Sequence, residues 1–231
     1  MTLIIIGLLL GIRHAFEPDH LAAVSTLATR PGSHLWSAAR LGLVWGVGHT
    51  VTVGVLAFLL VGLGLHLPAS LWPAGELVVA GLLILLGGLV IWRYVRGRWH
   101  MHIHTHGATQ LGAHLHLHSH AKDLSHEHLH DRVDARRSLG FGVAHGLAGS
   151  GAIAALLVAA APDASARIAY FAAFGLGTII GMLAVSLTLS VVIRVAADRG
   201  SRWATVLHVG AAAASVLVGV ALAGQVVFKG L

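Results

Sequence analysis

The sequence predicts an all-α polytopic membrane protein, with six transmembrane helices arranged as a 3+3 inverted repeat and a long His-rich cytoplasmic loop. Three observations lead there. The 231 residues are 56% hydrophobic and only 10% charged, which is too apolar for an ordinary soluble domain. Six apolar segments reach bilayer-spanning length, at 2–28, 37–63, 74–95, 139–161, 166–196 and 203–228. A motif from the first segment returns in the fourth. The chain therefore divides into a first three-helix repeat (1–96), a His-rich loop (97–138) and a second three-helix repeat (139–231).

The first segment is expected to be retained, because Met1-Thr2-Leu3-Ile4-Ile5-Ile6 lacks the basic n-region of a cleaved signal peptide. Short linkers after the first, second, fourth and fifth segments imply antiparallel neighbours in a helical bundle. Lys and Arg set the orientation. Arg30, Arg40, Arg93, Arg96, Arg98, Lys122, Arg132, Arg136, Arg137, Arg194, Arg199 and Arg202 belong to connections on one face, against Arg167 and Lys229 on the other. The positive-inside rule makes the long loop cytoplasmic and both termini external, in a protein integral to the cytoplasmic membrane. The formal charge of +6 is thereby explained by topology, and nucleic acid is not an expected partner. Cysteine is absent, so thiolate ligation and disulfides are excluded.

The internal repeat pairs Gly11-Ile12-Arg13-His14-Ala15-Phe16 with Gly142-Val143-Ala144-His145-Gly146-Leu147. It also pairs Trp45-Gly46-Val47-Gly48 with Phe174-Gly175-Leu176-Gly177. Three spans per half make the halves cross in opposite directions, an arrangement in which substrate binds near the midplane where the halves meet.

Two stretches carry the chemistry. In the loop, His100, His102, His104 and His106 are followed by His114, His116, His118 and His120, then His126, His128 and His130. Alternation at period two puts each cluster on one side of an extended chain, where neutral imidazoles suit Ni, Zn, Cu or Co. The plainer alternative is a polar linker serving solubility or pH response. The second stretch is Arg13-His14-Ala15-Phe16-Glu17-Pro18-Asp19-His20, inside an apolar span. Ionisable groups at that depth cost several kcal/mol unless partnered, so they mark function. On a straight helix His14 would lie about 140° from Asp19 and about 120° from His20. Pro18 is therefore expected to break the helix, free the carbonyl of His14 and let two imidazoles and a carboxylate converge. Such a set fits a first-row divalent metal and suits neither Mg²⁺ nor Ca²⁺. His49, flanked by glycines in the second span, is the next candidate ligand, and His145 is the repeat counterpart of His14. His208 has no polar motif around it and reads as a core histidine. Arg13 and Glu17, at i and i+4, are expected to pair, with Glu17 as an outer ligand or proton carrier in the alternative.

These residues resemble a known family. His14-x4-Asp19-His20 looks like the H-x4-D-H signature of the nickel/cobalt transporter (NiCoT) permeases, and Gly48-His49-Thr50 resembles their Gly-His-Ser/Thr segment. The shorter six-span UreH-type relatives are the nearest match, where Gly142-x-x-His145-Gly146-Leu147-Ala148-Gly149-Ser150 also has a familiar look. The resemblance implies that His14, Asp19, His20 and His49 carry Ni²⁺ or Co²⁺. Two features depart from the larger permeases. Glu17-Pro18 stands where they have Asp-Ala, and their later acidic signature has no match near His145.

The expected function is secondary transport of Ni²⁺ and/or Co²⁺ across the cytoplasmic membrane, in the uptake direction, through a site of His14, Asp19, His20, His49 and His145. The metal is substrate, no prosthetic group is expected, and cytoplasmic metallochaperones are candidate recipients. No phosphate-binding loop is present to couple ATP directly. Export is the alternative within the same class. A membrane metalloenzyme with His-bound iron or zinc is the alternative outside it, weakened by the scatter of the non-loop histidines over several spans. A haem-binding electron carrier is a third reading, and a Soret band would reveal it.

Overall fold

A computed structural model describes residues 1–28, 35–65, 68, 71–96, 100–104, 114–118, 130–147 and 163–229. The first apolar segment is two helices, α1 (Thr2–Ala15) and α2 (Pro18–Ala28). The second is α3 (Leu35–Ala57), continued by a π-helical turn over Phe58–Gly62, and the third is α4 (Leu71–Val95). Two short strands follow, β1 (His100–His104) and β2 (His114–His118), then α5 (His130–Leu147), α6 (Ala164–Asp198) and α7 (Ser201–Lys229). Among the described residues four helical stretches are long and apolar enough to cross a bilayer: Leu35–Gly62, Trp72–Val95, Ala164–Asp198 and Arg202–Phe228. The protein is thus a helical integral membrane protein. The fourth expected span begins within α5, and most of its remainder lies outside the described residues.

Local sequence explains the ends. Glu17 precedes α2 and its carbonyl accepts the Leu21 amide at 3.0 Å, so Pro18 occupies the first helical position, where its missing N–H costs nothing. Asp163 caps α6 by accepting the Ala166 amide at 2.8 Å. Gly200, at φ +130°, makes the tight turn from α6 into α7 that a residue with a Cβ would resist.

Packing is by small residues. Helix α1 lies on α6, α3 on both α5 and α6, α4 on α7, and α2 chiefly on α7. Glycines let the backbones approach where α1 and α3 meet α6, where α3 meets α5 and where α4 meets α7. A Cβ on Gly11 would meet Phe174 O and fall 2.8 Å from Thr178 N. One on Gly142 would meet Trp45 O and fall 3.0 Å from His49 N. Gly177 faces Leu8 O and Ile12 N, and Gly48 faces Leu139 O and Val143 N. In the α4–α7 pair Gly87 lies on Ala212 O, and Gly219 lies on Ala80 O. Between those two, Ser215 donates to the carbonyl of Leu83 at 3.0 Å. Ser138 likewise donates to Leu41 O at 2.7 Å, tying α5 to α3. With no hydrophobic effect between helices in lipid, such close backbone approach and satisfied hydroxyls are what hold a bundle together. The outward faces carry Ile5, Leu9, Val51, Val55, Leu85, Leu217 and Val220, all exposed, as a lipid-facing surface requires.

Candidate metal site at the helix break

The motif at residues 13–20 is broken as its proline demands. Helix α1 stops at Ala15, and Phe16 takes φ −94°, ψ 6°. The carbonyl of His14 is not left free: it accepts the Glu17 amide at 3.0 Å, while Arg13 O accepts the Phe16 amide at 3.0 Å. This corrects the expectation of an open carbonyl, because the chain turns tightly enough to recapture what Pro18 cannot bind. The Arg13–Glu17 pair also does not form. Residues 13 and 17 no longer share a continuous helix, so Glu17 turns to His14 (Nδ1–Oε1 3.1 Å) and Arg13 is exposed.

The break brings four buried imidazoles together from four elements. His14 closes α1, His20 stands in the first turn of α2, His49 lies mid-way along α3, and His145 comes near the end of α5. All four are buried. The Nε2 atoms of His14 and His49 are 3.0 Å apart. That is roughly the separation of two neighbouring ligands each about 2.1 Å from one ion. His14, His20 and His49 each offer a ligand nitrogen within a 4.8 Å span, and Glu17, Asp19 and His20 form a second overlapping group. Ring centroids are 4.6 Å apart for His14–His20, 5.2 Å for His20–His49 and 5.0 Å for His20–His145.

Asp19 completes the set. Its Oδ1 is 3.2 Å from His20 Nδ1 and its Oδ2 is 3.8 Å from His145 Nε2, so one carboxylate touches both halves of the chain. His20 Nε2, His49 Nδ1 and both nitrogens of His145 have no hydrogen-bond partner among the described residues. Buried polar atoms are seldom left so, and an ion would take the one lone pair that each neutral ring offers. The carbonyl end of α1 also points its partial negative charge at this place.

Of the residues named from sequence, His14, Asp19, His20, His49 and His145 are all brought together. His208 lies apart in α7 and is half-buried. His34 and His66 fall outside the described residues, as do His106, His120, His126 and His128. Two neighbours escaped sequence reasoning. Phe141 stacks on Trp45 at 5.9 Å, and Trp45 in turn lies 5.3 Å from the His145 ring, forming an aromatic wall. Thr178 is buried beside Phe174, whose ring is 5.6 Å from His14. Aligning Gly177-Thr178 with Gly48-His49 would have singled it out as the repeat counterpart of His49.

Two comparisons with known proteins found matches. Residues 1–97 match the family model NicO, described as a high-affinity nickel-transport protein. The urease accessory protein UreH of Bacillus sp. (strain TB-90) is 28% identical over 183 residues, covering 79% of this chain and 74% of that protein. No solved structure matches. The matched stretch contains His14, Asp19, His20 and His49, so the part of the chain that carries most of the cluster is similar to a family of high-affinity nickel-transport proteins.

Proposed function

We propose that this protein is a secondary transporter that carries Ni²⁺ and/or Co²⁺ into the cytoplasm, binding the ion at His14, Asp19, His20 and His49 with His145 as a further ligand. The convergence of four buried imidazoles and one carboxylate at a helix break carries this reading. Helix α1 has 14 residues, which sets the break ~20 Å from its N-terminal end, within a hydrocarbon core of about 30 Å. A hydrated ion reaching that depth must exchange water for protein ligands, and imidazole selects first-row transition ions over Mg²⁺ and Ca²⁺. The similarity to a nickel-transport family and to a urease accessory protein supports nickel as the cargo and cytoplasmic metallochaperones as its recipients. The membrane potential favours entry by about 2.3 kcal/mol per charge per 100 mV, or roughly 4.6 kcal/mol for a divalent ion.

The 3+3 inverted repeat belongs to the same reading. Its support is the exchange of partners across the halves. Gly11 approaches α6 at Phe174 and Thr178 as Gly142 approaches α3 at Trp45 and His49, and Gly87 and Gly219 approach each other's helices in the same way. Each element of one half thus meets the counterpart of the element that meets its own repeat. In this arrangement the site lies where the halves face each other, with Asp19 between His20 of the first and His145 of the second.

Uptake of radioactive nickel into proteoliposomes tests the proposal. Wild-type protein should accumulate nickel with an inside-negative potential, and His14→Ala and Asp19→Ala should each abolish it. Undiminished uptake in both variants would refute the site. Accumulation only when the orientation or the gradient is reversed would refute the direction and favour an exporter.

A further inference from the structure

Glu17 is the acidic side chain of the motif that the proposed site leaves without a task. Its place follows from the turn between α1 and α2. Pro18 disfavours a helical conformation for the residue before it, so Glu17 does not continue α1 toward the i+4 position that faces Arg13. Instead its amide donates to the His14 carbonyl at 3.0 Å, and its carboxylate comes against the His14 ring, with Oε1 3.1 Å from Nδ1. The other nitrogen of that ring lies on the cluster side, Nε2 standing 3.0 Å from Nε2 of His49. His14 is buried, whereas the Glu17 side chain is 43% exposed. The carboxylate thus stands at the border of the cluster, and the ring reaches its interior.

The two contacts of this ring decide its tautomer. An ionised carboxylate only accepts hydrogen bonds, so the contact places the proton of a neutral His14 on Nδ1 and leaves the lone pair on Nε2. Without an acceptor at Nδ1 the proton could sit on either nitrogen, and half of the rings would offer the wrong edge to an ion. His20 repeats the pattern. Asp19 Oδ1 is 3.2 Å from its Nδ1, and its buried Nε2 has no hydrogen-bond partner among the described residues. In both rings a carboxylate holds Nδ1 and Nε2 is left to ligate. Metal-binding histidines generally have such an outer partner, which fixes ring orientation and raises the basicity of the ligating nitrogen. Asp19 has a second oxygen, Oδ2, 3.8 Å from His145 Nε2, and can serve the ion as well. Glu17 does not belong to the group of His14, His20 and His49, and its carboxylate falls in the less buried group with Asp19 and His20.

We propose that Glu17 is a positioning residue for the transported ion: it holds His14 with Nδ1 protonated and Nε2 presented to the metal, and it neither ligates the ion nor carries a coupled proton. This rests on the buried imidazole site read above and deepens it by naming the ligand atom. What the site requires at residue 17 is an acceptor oxygen at hydrogen-bond distance from Nδ1.

The test titrates the full-length protein in detergent with Co²⁺, following the absorption of the bound ion. The share of the signal lost in His14→Ala defines the buried site and sets aside ions held elsewhere. Glu17→Ala should weaken that share by ~10–100-fold, the usual cost of removing an outer partner. Glu17→Gln keeps the shape and the acceptor oxygen, and should recover most of the affinity. At saturating Co²⁺ the absorption bands of Glu17→Ala should coincide with those of wild type, because no ligand has been removed. Nickel uptake into proteoliposomes by Glu17→Ala should need a higher concentration for half-saturation while its maximal rate is kept. Four results would overturn the proposal: wild-type affinity in Glu17→Ala, an affinity in Glu17→Gln as low as in Glu17→Ala, shifted bands at saturation, which make Glu17 a ligand, or loss of the maximal rate, which makes it a proton carrier. His14→Ala separates this failure from failure of the site. If His14→Ala binds as wild type does, the buried site itself is refuted; if it loses the ion and Glu17→Ala does not, only the positioning role is.

Discussion

At the scale of single residues, His145 is the most informative position. It stands alone in its half, since the repeat counterparts of Asp19 and His20 are Ser150 and Gly151, yet its Nε2 comes to 3.8 Å from Asp19. As a ligand or as a partner that holds Asp19, it should matter to metal affinity in a way His208 does not. His145→Ala is expected to weaken Ni²⁺ binding by ~10–100-fold in calorimetric titration, with His208→Ala near wild type. The glycines make a second residue-scale contrast. Gly142→Ala drives a methyl group into Trp45 O, and overpacking of that kind costs about 1–3 kcal/mol. Gly81 has nothing within 4 Å of where its Cβ would stand. Gly81→Ala should therefore stabilise α4 by up to ~1 kcal/mol. Thermal unfolding in detergent should shift in opposite directions for the two.

At the scale of elements, the paired helices α1 and α2 divide the work of one span. Helix α1 anchors against α6 through Gly7, Gly11 and the small contacts of Gly177, while α2, a separate helix begun at Pro18, carries Asp19 and His20. The beginning of α6 is fixed by another device. Asp163 accepts from Ser165 Oγ at 2.6 Å and from the Ala166 amide at 2.8 Å. The Ser165 hydroxyl first, and the Ala166 amide second, hold its carboxyl below the ordinary value of 3.8. A carboxyl whose pKa is lowered by folding contributes stability above its unfolded value and loses it as the pH falls through the folded one. Asp163→Ala should accordingly lower the melting temperature slightly at pH 7. The difference from wild type should shrink as the pH drops below about 4.

At the scale of the whole molecule, topology and direction are linked. If the positive-inside bias sets the orientation, the hairpin of β1 and β2 and the start of α7 share the cytoplasmic face, and β1 does lie against α7. Single cysteines introduced into this cysteine-free chain report on that arrangement. A cysteine at Thr2 should react with an impermeant maleimide added outside intact cells. One at Ser119 should react only after permeabilisation, and the reverse pattern would invert the predicted orientation.

Much of this was legible in the sequence. Apolar length announced the four spans seen among the described residues, Pro18 announced the break, and the recurrence of His14 as His145 announced a neighbour, because hydrophobicity, proline stereochemistry and residue type are local properties. The period-two histidines similarly announced an extended chain, and β1 and β2 adopt it. What one dimension could not supply was contact between segments. Whether Glu17 turns to Arg13 or to His14 depends on where α1 ends in space, and sequence spacing chose the wrong partner. The recapture of the His14 carbonyl by Glu17, the aromatic wall of Trp45 and Phe141, and the bridge from Asp19 to His145 all arise from close approach of helices distant in the chain. The sequence by itself determined which metal-ligating side chains are present and that the first span breaks at Pro18. Only the tertiary structure decided that four imidazoles and a carboxylate share one buried place, because helix packing, set by glycine contacts between backbones, fixes those distances.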